Sequence, residues 1–236
     1  MPRKHLIASG INKKQQQQAK IWMKCAKEIK AAAKQGTNPE SNPRLKVAIE
    51  RALNNNLSRE SIQKNINGAS KDESNIKELT YEGYGPNGLA IIIKALTDNE
   101  ARTISAVRGY FSKLQAQLAK PNSVMMLFAE KGQFIINKDQ DISSDSLLEL
   151  LIEYDVIDII ETDEVYELLI TPDHFSSAKE ELIKANVNLI SAEIKLLPDS
   201  FISLDPLNRE KLVRFVNACE DDDDISWVVT NYEEEI

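Results

Sequence analysis

The spacing of apolar and polar positions changes several times along the chain, and each change marks an element. From residue 12 to residue 35, Trp22, Cys25, Ala26, Ile29 and Ala33 recur at i, i+3, i+4, i+7 and i+11. That is the period of one long amphipathic helix, with Gly36 placed to end it. Residues 1–12 show no period and are expected to be mobile. A second helix is predicted from Pro43, with Asn42 as its N-cap and Leu45, Ala48, Ile49 and Ala52 as its buried stripe. A third follows Ser58 and carries Ile62 and Ile66 before Gly68. Short connections among three helices predict a small bundle, followed by a polar linker at residues 69–75.

The period then drops to two. Leu79, Tyr81 and Gly83 alternate with polar neighbours, Gly85-Pro86-Asn87-Gly88 supplies turn chemistry, and residues 89–96 form an apolar, β-branched run suited to a central strand. Asp98 and Asn99 offer an N-cap to a helix carrying Ile104, Val107, Phe111, Leu114 and Leu118. Residues 124–130 read as the next strand of this unit, and Lys131-Gly132 as a turn. Beyond it come strand 133–137, helix 145–154, strand 156–161, strand 165–170, helix 175–185 and strand 189–197, the β-α-β-β-α-β order of a ferredoxin-like unit. A last helix, capped by Asp205 with Pro206 in its first turn, buries Leu212, Phe215, Val216 and Cys219, and a strand follows at 225–229. One helix and one strand cannot bury a core alone, so they are expected to return to the earlier αβ unit. The predicted fold class is α+β in three parts: a basic helical module at residues 1–75, an αβ domain from residues 76–130 and 199–236, and an inserted ferredoxin-like domain at 131–198.

Charge adds what periodicity cannot. The 236 residues carry a net charge of −8, yet residues 1–70 hold 14 Lys/Arg against 4 Asp/Glu, a balance of +10, which leaves 15 against 33, or −18, for the remainder. Such a split suggests a basic binding module attached to acidic domains. At 100° per residue, Lys13, Lys20, Lys24, Lys27 and Lys34 fall within an arc of roughly 80° on the first helix, opposite its apolar stripe. Glu28 is the only acid on that helix. The lysines therefore read as a solvent-facing stripe able to contact phosphates without reading bases, and Arg44, Lys46 and Arg51 of the second helix extend it. Because the stripe lies opposite Trp22 and Ile29, the fold is expected to be indifferent to it. Tyr81 and Tyr84 flank the hairpin, where packing is favoured over stacking on bases.

Catalytic signals are sparse. His5 and His174 are the only histidines, and His174 follows Thr171-Pro172-Asp173 at a helix entrance, where capping accounts for its neighbours. No nucleophile elbow or zinc-binding His-Glu-x-x-His is present. The run Glu220-Asp221-Asp222-Asp223-Asp224 is contiguous, lacks the alternation and glycine of a calcium loop, and reads as a solvated acidic turn. No cofactor, metal site or enzymatic activity is expected. No apolar run approaches the roughly 18 residues of a membrane span, and two distant cysteines outside any Cys-x-x-Cys suit a reducing compartment, so the expected location is cytoplasmic.

Several motifs share one order with a known family. Tyr81-Glu82-Gly83-Tyr84-Gly85-Pro86-Asn87-Gly88, then Ala95-Leu96-Thr97-Asp98-Asn99, Arg102-Thr103, Val107-Arg108 and Phe111 resemble the signature core of the YebC family of cytoplasmic bacterial proteins. Residues 42–52, 123–128 and the acidic run fall where that family has similar stretches. His5-Leu6-Ile7-Ala8-Ser9-Gly10-Ile11 stands in place of the family's usual His-Ser-Lys-Trp-Ala-Asn-Ile-like start, which is similar to a divergent, YeeN-like branch. The resemblance implies a three-domain layout and a transcriptional regulatory protein that binds DNA. The family's mitochondrial relatives imply the alternative, a translational activator acting on ribosomal RNA. In either case the acidic domains would set orientation or face a protein partner.

Overall fold

A computed structural model describes residues 3–69, 76–138 and 142–233, with side chains described from residue 18 onward within the first helix. Of the expected linker at 69–75, residues 70–75 lie outside the described residues, as do the side chains of His5 and Lys13, while Ala69 is buried at the end of the third helix. With 46% helix and 28% strand in two antiparallel sheets, the fold is α+β. The chain divides into two compact units, Met1–Val124 with Ile202–Ile236, and Met125–Phe201.

The first unit opens with α1 (Arg3–Ala33), α2 (Pro43–Asn54) and α3 (Arg59–Gly68). Cys25, Ile29 and Ala32 of α1 close on Leu45, Ala48 and Ala52 of α2 and on Ile62 and Ile66 of α3, forming one apolar cluster. Two details depart from the periodicity. The helix begins at Arg3 rather than near residue 12. Trp22 is 39% exposed, since its indole Nε1 reaches the Asn55 carbonyl at 2.9 Å, at the end of α2, rather than entering the core. Asn42 is buried and serves two helices. Its Oδ1 accepts the Leu45 N–H at the start of α2, and its Nδ2 donates to the Ala32 and Gly36 carbonyls at the end of α1.

The sheet of this unit has β1 (Lys77–Tyr84), β2 (Ala90–Thr97), β3 (Gln117–Leu118) and β8 (Ile225–Thr230), in the order β3-β1-β2-β8. The hairpin register pairs Tyr84 with Ala90 across a short 3-10 turn, Pro86–Gly88. Helices α4 (Glu100–Leu114) and α7 (Pro206–Asp221) cover one face, where Leu89, Ile91 and Ile93 meet Val107, Phe111, Leu114, Leu212 and Phe215. Helix α4 stops before Leu118 because Gln115 takes a left-handed conformation, φ 60°, and the chain turns into β3. Glu82, whose position in the alternation predicts a polar, outward residue, is buried. Its two carboxylate oxygens accept the N–H groups of Asn122 and Val124 at 2.6 and 2.7 Å, anchoring the loop after β3.

The second unit has β4 (Phe128–Asn137), α5 (Ser144–Leu150), β5 (Val156–Glu161), β6 (Val165–Ile170), α6 (Phe175–Lys184) and β7 (Leu189–Pro198). Its all-antiparallel order β5-β6-β4-β7 is that of a ferredoxin-like sheet, and both helices share one apolar cluster with Phe134, Leu168 and Ile170. The expected strand at 124–130 and the turn at Lys131-Gly132 are corrected here. Residues 128–130 pair with β7 as part of one uninterrupted strand, so they belong to the inserted unit. Gly132 sits mid-strand because a Cβ there would come within 2.7 Å of the Phe175 ring and 2.9 Å of Ile170. It marks a close approach, not a turn.

Gly83 is constrained in the same way, since an added Cβ would overlap the Phe111 ring and the Gln117 carbonyl. Gly83→Ala should lower stability by about 1–3 kcal/mol, the range for overpacking. Gly109, exposed on α4 with open space around its Cα, is the control, and Gly109→Ala should raise stability by about 0.5–1 kcal/mol. Urea unfolding of the two variants checks both signs.

Candidate nucleic-acid interface

At Lys20, Lys24 and Lys27 the lysine stripe of α1 faces the acidic run rather than open solvent. Lys20 Nζ pairs with Asp221 Oδ1 at 2.8 Å, Lys24 Nζ donates to the Glu220 carbonyl at 2.6 Å, and Lys27 Nζ reaches the Asp223 carbonyl at 3.0 Å and Asp224 Oδ1 at 2.9 Å. The acidic run is therefore only in part the solvated turn that its composition suggests: Glu220, Asp221 and Asp223 are exposed, but Asp224 is buried and Asp221 and Asp224 pair with lysines of α1. It covers three of the five stripe lysines, and the expected indifference of the fold to these side chains is corrected accordingly.

Electrostatics explains the pairing. The last carbonyls of a helix lack intrahelical donors and carry the negative end of the helix dipole. Helix α7 ends in Glu220 and Asp221 with no basic residue in its last turn, which adds charge of the unfavourable sign. Lys20, Lys24 and Lys27, one turn apart, bring the missing cations from another element. The environment differs along the row. The Asp221 hydrogen bond raises the Lys20 pKa, whereas burial lowers that of half-buried Lys24 despite the carboxylates around it.

Asp224 is the centre of the contact. Its side chain is 8% exposed, and Oδ2 accepts from Arg102 Nε at 2.8 Å, from Arg102 Nη2 at 2.6 Å and from Thr103 Oγ1 at 3.3 Å, while Oδ1 takes Lys27. Burial pushes the Asp224 pKa up, but the hydrogen bonds from Lys27 and Arg102 outweigh it and hold the carboxyl below its ordinary value. Beside it, Tyr110 donates to Asp222 Oδ2 at 2.9 Å, and burial with this bond raises its pKa to about 12.

The remaining predicted residues are dispersed. Arg44 of α2 pairs with Glu78 of β1, which also accepts from Lys94 at 3.2 Å, so a second ionic contact ties the helices to the sheet. Arg51 pairs with Glu28 of α1 at 2.9 Å. Lys46 is exposed on α2, and Lys34 is exposed one residue past the end of α1. Tyr81 packs against the α4 and α7 core with its hydroxyl buried, whereas Tyr84 is 40% exposed and donates to the Ser123 carbonyl at 2.6 Å. His174 caps nothing and lies 3.2 Å from Asp155. Among the described residues, no three His, Cys, Asp or Glu side chains form a metal cluster, and no helix is long and apolar enough to cross a membrane.

A basic three-helix module held ionically against an αβ domain, with a ferredoxin-like unit inserted in that domain's sequence, defines an architecture shared with known proteins. Residues 2–72 match the model described as TACO1/YebC protein N-terminal domain, and residues 76–232 match TACO1/YebC second and third domain. The chain belongs to the TACO1/YebC family. A probable transcriptional regulatory protein of Ureaplasma urealyticum serovar 10 is 73% identical over 237 residues, with 100% of both chains covered. Another, of Geobacillus thermodenitrificans, is 37% identical, covering 95% of this chain and 93% of its own. The crystal structure of a conserved hypothetical protein from Aquifex aeolicus superimposes with a TM-score of 0.76 at 35% identity, covering 93% of each chain.

Removing the Asp224 charge tests the centre of the contact. Asp224→Asn leaves Lys27 and Arg102 facing a neutral amide and should cost about 2–3 kcal/mol, at or below the low end for a broken buried pair because Arg102 keeps access to solvent. Folding depresses the Asp224 pKa, so its contribution is complete above the unfolded value of about 3.9 and is lost as pH falls through the lower folded value. Urea unfolding should show a smaller acid-side loss in Asp224→Asn than in the wild type, the remainder coming from other carboxyls held low by hydrogen bonds, such as Asp205.

Proposed function

We propose that the chain is a non-enzymatic nucleic-acid-binding regulator that engages phosphate through its basic N-terminal helical module. The observation that carries this reading is the charge separation, +10 on residues 1–70 against −18 on the rest. A densely negative nucleic acid is drawn to the first and repelled by the second. The names of the relatives support a regulatory role. The binding residues in this reading are Lys13, Lys20, Lys24, Lys27, Lys34, Arg44, Lys46 and Arg51, which act on the backbone and carry no base readout of their own. A cytoplasmic location goes with it, and the two free, buried thiols of Cys25 and Cys219 suit a reducing compartment.

Binding of the full chain to duplex DNA and to structured RNA, measured by anisotropy at several salt concentrations, tests the reading. Lys13→Gln with Lys46→Gln should flatten the dependence of log K on log salt by roughly 0.7–0.9 for each phosphate that is no longer neutralised. An unchanged slope on both substrates removes the module as the binding surface. Crosslinking in cells with sequencing of both DNA and RNA identifies the target. Promoter fragments place the protein in transcription, and ribosomal RNA fragments place it in translation.

A further inference from the structure

Among the described residues, the hydrogen bonds and ion pairs between the helical module and the αβ domain are made by charged side chains. The apolar cluster of α1, α2 and α3 and the apolar cluster of the first sheet are separate, and no described buried cluster contains residues of both. Among the described residues they are joined by the row formed by Lys20, Lys24 and Lys27 with residues 220–224 and by the Arg44–Glu78 pair. Beside the row lies an open cleft of about 540 Å³, lined by Met23, Ala26 and Lys27 of α1 and by Ile76, Asp98 and Asp223. Contacts of this kind weaken with ionic strength.

The geometry of the row is that of an anion occupying a cation-lined surface. Three ammonium groups spaced over seven residues of helix, about 10 Å, each meet a carboxylate or a carbonyl, Lys20 and Lys24 at the negative end of α7 and Lys27 just beyond it. These are the donors that would meet phosphate oxygens in a bound nucleic acid. We propose that the acidic run is an internal stand-in for phosphate: it occupies Lys20, Lys24 and Lys27 in the free protein, and a nucleic acid binds that surface by displacing it and releasing the helical module from the αβ domain. The inference rests on the reading of the module as a nucleic-acid binder and adds regulation to it. A tethered competitor acts at high effective concentration, so apparent affinity is reduced by the fraction of molecules that are closed. The closed arrangement would discriminate against short or sparsely charged anions, since only a polyanion meets all three lysines together.

Two measurements on the full chain decide it. The first compares duplex DNA and structured RNA binding by wild type, by Glu220→Gln/Asp221→Asn/Asp223→Asn, and by Glu149→Gln/Glu153→Gln/Glu180→Gln. The last set removes the same charge from exposed positions of the second unit. Asp222 and Asp224, which hold Tyr110 and Arg102, are left in place so that the fold is preserved. The acidic-run variant should bind between about five- and 150-fold more tightly than the control variant, the range of typical coupling between sites. The second uses a carbodiimide, which joins an amine and a carboxylate in direct contact. The Lys20–Asp221 pair at 2.8 Å should crosslink in the free protein, and saturating nucleic acid should suppress that product in mass-spectrometric maps. Equal affinity of the two variants, with an undiminished crosslink in the complex, overturns the stand-in and leaves nucleic-acid binding intact. Absence of binding by all three proteins at low salt overturns both readings.

Discussion

The carboxylate of Asp224, nearly buried between Lys27 of α1 and Arg102 of α4, is the constraint on which the first unit depends. Neither side of the junction is electrostatically favourable by itself. A helix that ends in Glu220 and Asp221 concentrates negative charge at the negative end of its dipole, and a helix face bearing Lys20, Lys24 and Lys27 repels itself. Each supplies the counter-charges that the other lacks. Lys24 and Lys20 also donate to the Glu220 and Asp221 carbonyls at the end of α7, doing for that helix what a basic residue in its own last turn would otherwise do. The net charge of −8 therefore conceals an arrangement in which the two extremes of the distribution lie against each other.

Elsewhere the elements are joined by single polar side chains that complete backbone hydrogen bonding where chain segments meet. Asn42 closes α1 and opens α2. Glu82 receives two N–H groups from the loop after β3. Asn231 accepts the Ala90 N–H at 2.8 Å, fixing the end of the chain against the start of β2. Each is buried, and a buried polar group left unsatisfied would cost about 1–3 kcal/mol. They specify geometry more than they add stability. The ionic junction is different in kind: apart from Asp224 its partners are partly exposed, so water and salt compete for them.

Much of the fold was legible in the chain. Strand β2 reads as central because residues 89–93 are apolar without interruption, and it lies between β1 and β8 with both faces buried. The βαββαβ order of the second unit follows from alternating periods. The errors share a cause. Gly132 reads as a turn because glycine usually punctuates, and only the position of Phe175 shows that it makes room for a ring. Glu82 reads as outward because alternation assigns it to the polar face, and only the path of residues 119–124 reveals that this face is covered. Trp22 reads as core because the helical period includes it, whereas its indole N–H is needed at the Asn55 carbonyl.

The candidate site divides along the same line. The sequence by itself determined the charge segregation, the lysine row on one face of α1 and the acidic run at the end of α7, because charge and helical period are local properties of the chain. A signal for their meeting was present: acidic residues closing a helix without a basic neighbour require a cation from elsewhere. Which cation answers was decided only by the tertiary structure. Lys20 and Asp221 are separated by 201 positions, and no period or composition relates them. Whether a charged face is solvated or paired depends on what the rest of the chain brings within a few ångströms, a distance that is fixed only when the cores on either side have formed.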